Sequence, residues 1–134
     1  MGTRLLAVVA GVGLLLAAVP ARAHHAFAAE FDAAKPIKVR GTVVKWELTN
    51  PHSWIHIDVK GTDGKVATWM IEGASPNNLY RLGLSKESLP AGTEITVEGY
   101  QAKDGSTRGV GRNIVFSDGK KFFLGLSEAE GAPK

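Results

Sequence analysis

The sequence predicts a mainly β domain, a small closed antiparallel barrel of five to six strands with one short helix between strands 3 and 4. Three observations predict it. Apolar and polar residues alternate with period two through several short runs. Asp-Gly turn signals separate runs that would otherwise be continuous. A single segment, opening at Ser75, carries the start and stop signals of a helix.

From Ile37 the run KVRGTVVKWEL reads as the first strand, with Val39, Val44, Trp46 and Leu48 apolar and Gly41 marking either a bulge or a tight bend. Thr49-Asn50-Pro51-His52 is turn chemistry. In SWIHIDVKG, Ile55, Ile57 and Val59 fall on one face, and Trp54, His56, Asp58 and Lys60 on the other. Thr62-Asp63-Gly64-Lys65 is a hairpin turn, after which VATWMIEG returns as the third strand. Ser75 then suits an N-cap, Pro76 the first helical position, Leu79 and Leu82 an apolar stripe, and Gly83 the glycine past the end. Residues 84–89 allow a second short turn. TEITVEGY supplies a fourth strand with Ile95 and Val97 inward, residues 101–109 a loop, and RNIVFSDGKKFFL a final hairpin around Asp118-Gly119. This order matches a five-stranded oligomer-binding (OB-like) barrel, whose helix after the third strand plugs one end; an open β-sandwich is the alternative.

The domain has a leader. Arg4 precedes residues 5–19 (LLAVVAGVGLLLAAV), which hold no charged side chain; Pro20 breaks the run, and Ala21-Arg22-Ala23 offers small residues for cleavage. That order of parts is a Sec-type secretory signal over residues 1–23, directing the chain to the periplasm, and the apolar run is shorter than the about 20 residues of a membrane span. Residues 24–36 read as an N-terminal arm, with Phe27 and Phe31 spaced to form a helical turn or to tuck two aromatics against the domain. The barrel occupies residues 37–126, and 127–134 form a polar tail. The whole chain of 134 residues is +3, but the leader carries two arginines and no acid, which leaves 14 basic against 13 acidic side chains after cleavage. With no basic stripe interleaved with aromatics, nucleic acid is not the expected partner. There is no cysteine, so the domain relies on its packed core rather than on disulfides.

Several stretches carry a resemblance: His24-His25-Ala26-Phe27, Thr49-Asn50-Pro51-His52-Ser53-Trp54-Ile55, residues 69–77 (WMIEGASPN) and Leu89-Pro90-Ala91-Gly92-Thr93. Together they resemble the exported bacterial family called domain of unknown function 6152, across nearly the whole mature chain. The resemblance implies an exported, β-rich, single-domain protein and no particular activity.

The four histidines fall at two places, His24 and His25 at the new N-terminus, His52 and His56 around the second strand. Cleavage after Ala23 makes His24 the first residue, so that its α-amine and ring nitrogen can chelate one metal together, with His25, His52 or His56 completing the site. Cleavage after Ala21 puts histidine third, which also binds Cu(II) through the amine and backbone nitrogens. Nitrogen donors without a thiolate suit Cu(II). On a strand His52 and His56 stand roughly 13 Å apart, so at most one of them joins His24. The opposing reading is a solvated arm, with His52 a turn residue and His56 an ordinary member of an exposed face.

The aromatic face is the second candidate. Trp54 with His56 and Asp58 beside it, and Trp69 or Tyr100 on neighbouring strands, would form a stacking surface for a ligand or partner. Against this, Trp46 and Trp69 can be core residues, and the arm can cover Trp54. Catalysis finds little support. Neither Ser53 nor Ser75 sits in a nucleophile elbow; Asp58, Glu47 and Glu72 are unpaired carboxylates on strands; the Asp-Gly pairs lack the ligands of a calcium loop; TRGVGR lacks the lysine and helix of a phosphate loop. Arg108 and Arg112 are candidates for an anion or for solvent. The sequence therefore points to a non-enzymatic periplasmic binding or accessory protein. It handles copper through the histidine cluster, or serves as an interaction module for another periplasmic or membrane protein.

Overall fold

The computed structural model describes residues 29–124. The expected leader, the candidates His24 and His25, Phe27, and the expected tail from residue 125 on lie outside the described residues. Strands β1 (Phe31–Glu47), β2 (Ser53–Lys60) and β3 (Val66–Gly73) are followed by helix α1 (Pro76–Arg81) and a 3-10 turn (Lys86–Ser88). Strands β4 (Glu94–Ala102), β5 (Arg108–Phe116) and β6 (Lys121–Phe123) complete the domain.

The strands form one six-stranded sheet ordered β3-β2-β1-β4-β5-β6, and a further β3–β5 pairing closes β1, β2, β3, β5 and β4 into a ring. This is the OB-like order of elements, with α1 between β3 and β4. The consecutive pairings are antiparallel. The closing pair is parallel, Met70 opposite Arg108 and Glu72 opposite Val110. The expected loop 101–109 is accordingly shorter: Arg108 and Gly109 are drawn into β5 because they pair with β3.

Period-two alternation fills the ring. Val43, Ile55, Ile57, Ile71, Ile95, Val97, Ile114 and Leu124 point inward and are almost fully buried, each removal from water contributing about 1.5–3 kcal/mol. Leu79, Leu84 and Leu89 from the helical segment join the same cluster and close one end of the barrel. Ser75 caps α1 by accepting from the Asn78 N–H, and Pro76 takes the first turn, where no N–H is needed. Gly83 follows with φ +86°. Its N–H donates to the Tyr80 carbonyl, and the Leu84 N–H to that of Leu79, the two bonds of a Schellman cap. This turn buries Leu84 and leaves Leu82, expected on the apolar stripe, 43% exposed.

Two other expectations shift by a few residues. Residues 31–36 of the expected arm belong to β1, Phe31 opposite Ala102 and Pro36 opposite Tyr100, while Ala29 and Glu30 are helical. The irregularity in the β1–β2 ladder lies between Val43 and Lys45 rather than at Gly41. Gly41 serves close approach: a Cβ there would stand 2.5 Å from the Asp58 carbonyl oxygen. No helix among the described residues is long and apolar enough to cross a membrane.

Candidate functional site on the outer wall of β1–β2–β3

Because β2 alternates, the residues that do not fill the barrel stand on its outer wall. Trp54 lies opposite Glu47 of β1 and Glu72 of β3, and residues directly opposite share a face. The next rung holds His56 between Lys45 and Met70, and the one beyond it Asp58 opposite Thr68. The Thr68 hydroxyl donates to Asp58 Oδ1 at 2.7 Å.

The two histidines flank Trp54 and turn away from each other. His52 engages Glu72 through Nδ1. His56 Nε2 lies 2.8 Å from Glu47 Oε2, on the opposite neighbouring strand. Each ring thus has one nitrogen on a carboxylate and the other left for a different partner. Glu47 also pairs with Lys45, and hydrogen bonds from Lys45 first and His56 second hold its carboxyl below the usual range. Glu72 behaves in the opposite way. Only 6% exposed although it sits on the outer wall, it is pushed above the usual range by burial, with His52 acting against that shift. Its Oε2 is buried without a hydrogen-bond partner.

The start of the described chain is held on the barrel by several contacts. The Glu30 carbonyl accepts from the Lys103 N–H at 2.9 Å. The Glu30 carboxylate accepts from Arg108 Nη2 at 3.1 Å. Phe31 is buried with Ala102, Val110 and Tyr100 in a small second cluster, and the Arg108 guanidinium lies 5.7 Å from its ring centroid. Glu72 feels both the Glu30 and the Arg108 charge. Two ion pairs, Glu30–Arg108 and His52–Glu72, therefore stand near enough for the charges of the first to act on Glu72.

The structure keeps Trp54, His56 and Asp58 on one wall, as the alternation requires. It separates Trp69 from them: Trp69 is opposite Ile57, faces inward and packs against the core, as does Trp46. His52 and His56 are not brought to a common point, and no group of three or more His, Cys, Asp or Glu suited to a metal occurs among the described residues. His24 and His25 lie outside them. The sequence alone gives Glu72 no partner and does not single out Glu30. Glu72 was within reach, since counting back from the Asp63-Gly64 turn sets Trp54 opposite Glu72. Glu30 was not, because its partner Arg108 arrives through the parallel closure of the barrel.

No curated protein and no solved structure matches the chain. A protein-family model does match, over residues 11–113, and the chain belongs to that family of unknown function, DUF6152.

Proposed function

We propose that the protein is an exported, non-catalytic binding protein that holds or passes on copper in the periplasm, through the N-terminal His24 and His25 together with a histidine of the barrel wall. The observation that carries this reading is that both wall histidines present one ring nitrogen to a carboxylate. That arrangement fixes the ring and leaves the second nitrogen as a donor, the usual dress of a metal-binding histidine. Nitrogen and oxygen donors with no cysteine in the chain fit Cu(II). The test is a Cu(II) titration of the mature protein against a His24→Ala variant, with a competing chelator present. The reading expects the variant to lose the tight site; equal affinity in the two proteins overturns it.

A second reading has an observation of its own. Trp54 stands on the outer wall between two carboxylates, where it adds nothing to the barrel interior. In this reading the wall docks another periplasmic or membrane protein, or an extended ligand, and the histidines are incidental. Trp54→Ala then abolishes capture of the partner from periplasmic extract while the fold stays intact; unchanged capture counts against it.

A further inference from the structure

We propose that the outer wall carries a Cu(I) site of its own, with His56 and the thioether of Met70 as ligands and the Trp54 indole as a face against the bound cation. The site lies wholly within β2 and β3. It needs neither N-terminal histidine, so it goes beyond the reading above rather than resting on it.

The placement follows from the ladder. His56 and Met70 are directly opposite each other on β2 and β3, and residues paired in this way stand about 4.5–5.5 Å apart at Cβ on one face. Trp54 is two residues before His56 on the same face and diagonal to Met70, because its own partner is Glu72. Diagonal neighbours, about 7–8 Å apart, remain within reach of an aromatic side chain. The rung is held from both sides. Beyond Met70, β3 enters the parallel closure with β5, Met70 opposite Arg108, and the Met70 N–H donates to the Thr107 carbonyl at 3.0 Å.

These side chains do no work in the barrel interior. Met70 is 39% exposed, and neither it nor Trp54 belongs to the core cluster. His56 has its Nε2 2.8 Å from Glu47 Oε2. With that carboxylate accepting from Nε2–H, the lone pair stays on Nδ1 and the ring is oriented as a metal-binding imidazole is. The cations that flank the rung are matched by acids: Lys45, opposite His56, pairs with Glu47, and Arg108, opposite Met70, pairs with Glu30.

The donors select the oxidation state. A thioether is a soft ligand that favours Cu(I), whereas Cu(II) prefers a square-planar set of nitrogen and oxygen donors. One imidazole with one thioether does not supply that set, but it suffices for Cu(I), which accepts linear coordination. A cation held against an indole face gains a further attraction from the ring.

The experiment is an anaerobic titration with Cu(I) of the protein recovered from the periplasm, in competition with a chromophoric Cu(I) chelator. Tryptophan fluorescence and X-ray absorption at the copper edge are followed on the same samples. Wild type should hold Cu(I) against the chelator, show sulfur bound to the copper, and lose part of its fluorescence. Met70→Leu conserves volume at an exposed position and should keep the fold, checked by circular dichroism. It should nevertheless lose its Cu(I) to the chelator, as should His56→Ala. Trp54→Leu should bind Cu(I) without the change in fluorescence, and His52→Ala and His24→Ala should match wild type. A Met70→Leu variant that keeps its Cu(I), copper without a sulfur neighbour in wild type, or quenching that persists in Trp54→Leu overturns the inference. The N-terminal reading is judged on Cu(II) with His24→Ala, so either can fail while the other stands.

Discussion

Glu72 and Trp54 occupy one rung of the β2–β3 ladder and have opposite relations to solvent. The carboxylate is buried by its neighbours and its affinity for a proton rises; the indole stays on the wall and does not enter the core. A residue outside the core is cheap to truncate, so Trp54→Ala should change unfolding free energy by no more than about 1 kcal/mol, checked by urea titration. Elsewhere, Glu98 carries its charge in the company of Lys121, Lys38 and Asn113, and the Lys121 contact above all holds its carboxyl below the usual range. A depressed folded-state pKa means stabilisation that is present above the unfolded carboxylate pKa and lost as pH falls through the lower folded value. Glu98→Gln should therefore flatten the acid side of the stability–pH curve, measured as Tm from pH 7 down to pH 3. The effect is small, since the half-buried Glu98 and the exposed Lys121 both keep access to solvent, which screens the pair.

At the scale of elements, the hairpins and the helix were legible because their signals are local. The Asp63-Gly64 and Asp118-Gly119 pairs place both glycines at φ above +80° in turns, and Ser75, Pro76 and Gly83 do what their chemistry suggests. The misplaced details have non-local causes. Leu82 and Leu84 exchange roles because the Schellman cap, not the helical period, decides which leucine reaches the barrel end. The bulge sits at Val44 because the ladder must stay in register with both β2 and β4, which no stretch of β1 encodes by itself. Two stability predictions belong here. Leu84→Ala empties part of the barrel plug and should cost about 2–5 kcal/mol, read from chemical denaturation. Gly83→Ala forces a side chain into a left-handed residue and should cost about 1–2 kcal/mol, read in the same way, with the helix cap weakened and the barrel strands unchanged in circular dichroism.

For the whole molecule, the expected barrel is present, and what the sequence does not announce is how it closes. The parallel β3–β5 pair joins residues 38 positions apart, and no periodicity signals a partner at that separation. That closure brings Arg108 to Glu30, at the start of the described residues. The histidine candidates are legible in the sequence as residue types; the division of His52 and His56 between two carboxylates on two strands is not. Among the described residues, then, the barrel carries its two histidines on separate carboxylates of β1 and β3.

The measurement that tests the proposed copper function most directly is a native mass spectrum of the protein purified from the periplasm and given one equivalent of Cu(II). The account predicts a chain that begins at His24 and keeps a single copper in the presence of excess free histidine. A chain that yields its copper to the histidine, or that keeps it equally well after His24→Ala, contradicts it.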